Sequence, residues 1–333
     1  MSQVTMTFDD VVDLAARCLK SNGANDENAM AVARTIARAE RDGSASHGFF
    51  RLPGYIASLK SGKVNGRARP KIERLAGGVV RIDADNGYAP LALEAGIPDL
   101  VATARETGIA AGSLVNMYHF AALWPEVEKI AEAGLVGFAC TAFKPSVAPA
   151  GASEPLFGTN PMAFAWPRRN ARPMVFDMAT AAMARGEIMI AARDGHELPP
   201  GVGLDKDGQP STDANAVLEG VMLPFGGYKG SNMAMMIELL VAALIGERFS
   251  FEAAEADNGD GGPPRGGEFL MAIDPARLGA EDADAHAEGF FARYSALDGT
   301  RMPGDRRYAN RDAAEDGILV PQSTIDKVNE LTG

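Results

Sequence analysis

The spacing of apolar residues changes at Gly66, and that change limits the possible folds more than any other feature of the chain. Before it, apolar residues recur at helical intervals. Val11, Val12, Leu14, Ala15, Cys18 and Leu19 follow Thr7-Phe8-Asp9-Asp10, an N-cap with an acid three residues on, and Gly23 stops the run. Asn25 or Asp26 starts a second helix that ends near Asp42-Gly43, and Phe49–Leu59 predicts a third, kinked at Pro53. After Gly66, short apolar runs alternate with helical patterns. Gly78–Asp83, Ile109–Val115, Leu135–Thr141, Met162–Trp166, Met174–Phe176 and Glu268–Ile273 predict strands. Leu91–Thr107 (broken or kinked at Pro98), Trp124–Ala133, Ala179–Ala192, Gly230–Ile245, Ala280–Ser295 and Thr324–Leu331 predict helices. Phe143–Asn160, Gly195–Asn215 and Ala253–Gly267 are rich in Gly, Pro or polar residues and predict loops. The class is mixed α/β with helices first.

No predicted strand leads into Gly-x-Gly-x-x-Gly, and there is no phosphate-binding Gly-x-x-x-x-Gly-Lys-Ser/Thr or Gly-x-Ser-x-Gly elbow. An ordinary Rossmann site is therefore unsupported. The chain of 333 residues, 46% of them hydrophobic, can bury a large core. Its net charge of -12 disfavours nucleic acid and anionic membranes as partners. The apolar run Met233–Ile245 is interrupted by Glu238 and too short to span a bilayer. Cys18 and Cys140 fall in apolar stretches, as reduced thiols of a cytoplasmic protein do, and the N-terminus lacks the basic and apolar regions of a secretory leader. No two of His47, His119, His196 and His286 have metal-ligand spacing, so no metal is expected.

In so acidic a chain, local cationic spots carry information. His47 lies in Ser46-His47-Gly48, at a loop-to-helix junction, with Arg51 one helical turn later. Histidine suits proton donation near neutral pH, and arginine can grip a carboxylate with a two-pronged hydrogen bond. A capping serine beside a surface histidine fits the same residues. Tyr118–Leu123 sits between strand and helix, as an anion site built on backbone N–H groups or as a packed aromatic turn. Gly226–Ser231, with Lys229, precedes the longest apolar helix, and either a ligand approach or a tight turn explains its glycines. Arg301, Arg306 and Arg307 fall within seven residues, as a clamp for a ribose 2′-phosphate or as a surface patch.

Taken in order, Ser46-His47-Gly48-x-x-Arg51, Asn116–Leu123, Leu156–Pro161, Asp177-Met178-Ala179, Arg185-Gly186 and Leu223–Gly230 resemble the malate/L-lactate dehydrogenase family, which is not of Rossmann type. The likeness covers almost the whole chain. Tyr118–Glu128, Met183–Glu187 and Ala192–His196 look most similar to its Δ1-piperideine-2-carboxylate/Δ1-pyrroline-2-carboxylate reductases. The resemblance implies a homodimer that reduces cyclic imino acids with NADPH, to L-pipecolate and L-proline. Alternatives are a 2-oxo-acid, malate-type or L-lactate-type dehydrogenase, or a non-catalytic cofactor-binding dimer.

The implied organisation is an N-terminal helical region (1–76) carrying the histidine loop, a mixed-sheet NADP-binding and substrate region (77–300), and a C-terminal segment (301–333) that packs back on the first. By the same resemblance, His47 is the proton donor and Ser46 its hydrogen-bonding neighbour. Asp194 is the acid assigned to orient His47, with Asp177 as the alternative. Arg51, Thr159, Arg185 and Gly186 hold substrate. The cofactor segments are His119, Phe120, Ala121, Ala122 and Leu123; Asp177, Met178 and Ala179; Lys229 and Gly230; and Arg301, Pro303, Gly304, Asp305, Arg306 and Arg307. Met117 stands where a smaller or more polar residue is expected.

Overall fold

The computed structural model describes residues 2–120 and 122–333. After the short strand β1 (Gln3–Met6), helices α1 (Phe8–Ser21), α2 (Asp26–Arg41) and α3 (Leu52–Lys60) form the N-terminal layer. Thr7 caps α1 through a full capping box with Asp10, and the Asn25 side chain caps α2. Pro53 does not kink a helix. It lies in the first turn of α3, where its missing N–H costs nothing.

The second layer is built on β2 (Lys71–Ala76), β3 (Val79–Asp83), α4 (Ala89–Thr107), β4 (Ile109–Tyr118), α5 (Trp124–Glu132), β5 (Val136–Thr141), β6 (Met162–Trp166) and β7 (Met174–Met178). Then come α6 (Arg185–Asp194), β8 (Gly203–Leu204), β9 (Pro210–Ser211), α7 (Ala214–Glu219), β10 (Val221–Met222), α8 (Tyr228–Glu238) and α9 (Ser250–Glu255). The chain ends with β11 (Arg265–Ile273), α10 (Ala283–Ser295), α11 (Asp305–Ala313), β12 (Ile318–Pro321) and α12 (Gln322–Thr332).

One mixed sheet runs β2-β3-β4-β11-β5-β6-β7. Its β3–β4 pair is parallel and the others are antiparallel. That order is not a doubly wound nucleotide fold, in keeping with the missing glycine fingerprint. Helices α4 and α5 cover one face, burying Leu100, Leu114, Val127, Ile130 and Leu270 among others. Helix α8 covers part of the other through Ile237, and Val241 beyond its end packs into the same cluster with Cys140 and Met162. Strand β12 pairs antiparallel with β1, and Ile318, Val320 and Val328 join the core of α1, α2 and α3. Among the described residues no helix is long and apolar enough to cross a membrane.

Several elements differ from expectation. Helix α4 runs unbroken through Pro98. The helix expected from Ala179 starts only at Arg185. Residues 180–182 are held out of the helix because Thr180 N–H donates to Thr159, Ala182 N–H to Leu223, and Thr180 C=O accepts from Phe225. The long apolar helix changes to a π-helical turn at Leu239–Leu244. The expected Ala253–Gly267 loop gives its first residues to α9 and its last to β11, which gains a bulge between Gly266 and Glu268.

Candidate active site

A cavity of about 890 Å³ opens where the N-terminal layer meets the ends of the sheet. Ser46, His47 and Arg51 line one side, Arg185 and Gly186 another, and Asp177, Met178, Ala179, Arg306 and Arg307 a third. Thr159, His119 and Phe120 also reach it.

The histidine loop follows the end of α2. Its N–H groups turn back on the chain: His47 N–H donates to Ser44 O over 2.8 Å. Ser46 Oγ lies 3.1 Å from His47 Nδ1, which fixes the imidazole at one nitrogen. Glu40 braces the loop from below, its carboxylate accepting from Phe49 N–H over 2.7 Å. Burial pushes the Glu40 carboxyl up to about 7.

Arg51 projects from the turn before α3. Its guanidinium lies over the Phe120 ring at 4.9 Å and the Phe50 ring at 5.3 Å, and its buried Nε has no hydrogen-bond partner. Burial, together with the nearby Arg185, lowers Arg51 to about 10. Arg185 is lowered by burial as well. Neither arginine forms an ion pair among the described residues. Two desolvated cations without a protein counter-ion make a site for an anion. Helix α6 comes this close because Gly186 has no side chain; a Cβ there would stand 3.0 Å from Arg51 Nη2.

The cofactor candidates divide. His119 is buried, both its ring nitrogens lack hydrogen-bond partners, Nε2 lies 4.0 Å from the buried Glu126 Oε1, and burial lowers the imidazole to about 4, so it is neutral at physiological pH. Asp177 accepts from Leu123 N–H (2.8 Å) and Trp124 N–H (3.0 Å), so it holds the start of α5, and burial raises it to about 6. Ala122 and Leu123 are buried in the core rather than on the cavity wall. Ala121 lies outside the described residues.

Arg307 stacks over Trp124 at 4.8 Å, and its buried Nη1 is unpartnered. That orphaned donor beside Arg306 fits a phosphate group. Arg301, Pro303, Gly304 and Asp305 stay off the wall; Pro303 C=O accepts from Val175 N–H, and Gly304, with φ of 99°, turns the chain into α11. Lys229 is exposed at the start of α8, away from the wall. Gly230 permits close packing: a Cβ would meet Phe225 O at 2.6 Å and Thr180 O at 2.7 Å.

Asp194 is off the wall. It ends α6, is paired with Arg193 at 2.7 and 2.9 Å, and that hydrogen bond lowers its carboxyl. With ~1.5 Å rise per residue, the helix carries it well away from its first turn. Glu187, in the first turn and on the cavity wall, went unread in the sequence. Its signal was adjacency to Arg185-Gly186. Lys144 was missed too. It lines the cavity and is tied at 2.8 Å to Asp257, which with Asp260 also clasps Lys63 and so fastens the segment carrying Gly261 and Gly262 to the cavity rim.

The chain matches the malate/L-lactate dehydrogenase family pattern over residues 6–329. It is 46% identical over 332 residues to a Δ1-pyrroline-2-carboxylate reductase of Ancylobacter novellus, covering 98% of this chain and 97% of the relative. It is also 46% identical over 323 residues to a Δ1-pyrroline-2-carboxylate/Δ1-piperideine-2-carboxylate reductase of Pseudomonas aeruginosa, covering 96% and 97%. Among solved structures, Δ1-piperideine-2-carboxylate reductase of Pseudomonas syringae pv. tomato superposes with a TM-score of 0.94 at 43% identity, covering 98% of this chain and 99% of that one. The mixed sheet, the cavity and these matches agree: the chain belongs to the malate/L-lactate dehydrogenase family.

Proposed function

We propose that this protein reduces Δ1-pyrroline-2-carboxylate and Δ1-piperideine-2-carboxylate to L-proline and L-pipecolate, with NADPH as reductant. One observation carries the reading: the guanidinium groups of Arg51 and Arg185, neither in an ion pair among the described residues, line the same cavity as His47. They suit the substrate carboxylate, and Phe120 beneath Arg51 offers an apolar surface for the ring methylenes. A bound nicotinamide supplies the hydride. His47 gives the proton: as the carbon of the C=N bond accepts the hydride pair, the π pair moves to nitrogen and takes that proton, leaving a secondary amine. Ser46 holds the imidazole, and Glu187 is the carboxylate assigned to orient it in place of Asp194. Thr159 and the buried carboxylate-gripping arginines keep one face of the ring toward the reductant, which sets the product's hand.

The Arg306–Arg307 pair supports a 2′-phosphate and hence NADPH. Tyr228, Met235, Met236, Leu239 and Leu244 leave an apolar strip exposed along α8 and the π-helical turn after it, which supports a homodimer. The two buried free thiols fit a reducing cytoplasm. The test is oxidation of NADPH and NADH with the two cyclic imines, pyruvate and oxaloacetate. Higher kcat/KM for the imines with NADPH is expected; higher values for a 2-oxo acid, or no turnover at all, would overturn the reading.

A further inference from the structure

We propose that Asp42 is a positioning residue that holds the cofactor clamp and the histidine loop in one frame. Its side chain is fully buried. It accepts from Trp124 Nε1 at 3.2 Å, from Arg311 Nη2 at 2.7 Å and Nε at 3.2 Å, and from Arg41 Nε at 2.7 Å. Two helices meet here as a ladder. Trp124 and Glu128 are one turn apart on α5, and Arg307 and Arg311 are one turn apart on α11. Arg307 stacks on Trp124, and Arg311 bonds Glu128 at 3.1 and 3.0 Å. Asp42 bonds one member of each rung, so it fixes the ring on which Arg307 rests and the helix from which Arg307 projects. Asp42 also caps α2, immediately before the loop that carries His47, and its C=O accepts from Asn310 on α11. The side chain of Asn310 fills the space beside Gly43, where a Cβ would stand 2.2 Å from its Nδ2.

The proposal rests on Arg307 contacting the 2′-phosphate. Asp42→Asn keeps size and one acceptor but removes the charge that gathers Arg311 and Trp124. It should weaken NADPH binding by about tenfold, as loss of charge-assisted hydrogen bonds allows, and weaken NADH binding much less. On an Arg307→Ala background the same change should add almost nothing, because residues acting through one another are not additive. Arg311→Lys, which keeps charge but loses the fork, should show the same selective loss and decides the matter if Asp42→Asn does not fold. Titration of NADPH and NADH by calorimetry reads all of these. If Arg307→Ala affects both cofactors equally, the phosphate reading of Arg307 falls and this proposal with it. If Arg307→Ala is selective but Asp42→Asn and Arg311→Lys weaken both cofactors alike, or act in full on the Arg307→Ala background, Asp42 is merely structural.

Discussion

Gly186 and Ser46 touch: a methyl group placed on Gly186 would stand 2.8 Å from Ser46 Cβ. The first turn of α6 therefore sets where Ser46, beside His47, can be. Gly186→Ala should push Ser46 and Arg51 apart from α6. Displacement of that kind costs about 10²-fold, so kcat/KM should fall by that order while the thermal midpoint changes little. Steady-state kinetics beside a melting curve checks it, and unchanged kcat/KM would show that α6 can back away without consequence.

His47→Phe should lower turnover by about 10²–10⁴-fold while NADPH still binds, since that is the range general acid catalysis supplies. The loss should depend on substrate. A cyclic imine can arrive already protonated at lower pH, so its reduction should recover partly as pH falls. A 2-oxo acid cannot, and its rate should stay low. Normal turnover at neutral pH would leave His47 a loop-capping residue.

Arg51→Lys keeps the charge and loses the planar fork. A charge-assisted hydrogen bond is worth about 1.5–3 kcal/mol, so kcat/KM for the imino acid should fall by about 10- to 100-fold. Affinity for NADPH should hold. A variant with normal kcat and KM would assign Arg51 to packing against Phe120 alone.

Glu40 gives a pH signature. Its carboxyl is raised by burial from 4.5 to about 7 in the folded protein, so between those values the folded state holds more protons than the unfolded chain. The stability it contributes is complete below about pH 4.5 and is lost as pH rises through about 7. Glu40→Gln keeps an acceptor for Phe49 N–H and cannot ionise. Its melting temperature should match the parent near pH 4.5 and exceed it at pH 8. Parallel pH curves for the two proteins would refute the assignment.

Much of this was readable in advance because it is local. The Thr7 and Asn25 caps and the change of period after Gly66 depend on neighbours a few residues apart. His47 and Arg51 do reach one cavity, but from two separate tight turns broken at Gly48 rather than from successive turns of one helix. What went unread depends on distant partners. Residues 180–182 have a helical composition but give their hydrogen bonds to Thr159, Leu223 and Phe225, so tertiary pairing overrides propensity. Of the break or kink that Pro98 suggests, the break does not occur: α4 runs on past it. Asp194 follows from the family resemblance alone, and only the length of α6 shows that it faces solvent beside Arg193. Asp42 looked like a helix end, because nothing near it in sequence announces Arg311 or Trp124.

The pairing of β1 with β12 bears on how the protein is made. Strand β1 must wait until the much later β12 has been made before it can pair, and Ile318, Val320 and Val328 supply part of the core under α1, α2 and α3. The layer that presents the Ser46–His47 loop thus stays incomplete until β12 emerges. Closing it is a long-range event, slow by comparison with local helix formation. A nascent chain halted before Ile318 would display its N-terminal helices with an unfilled seam, open to chaperones and proteases, and would be inert.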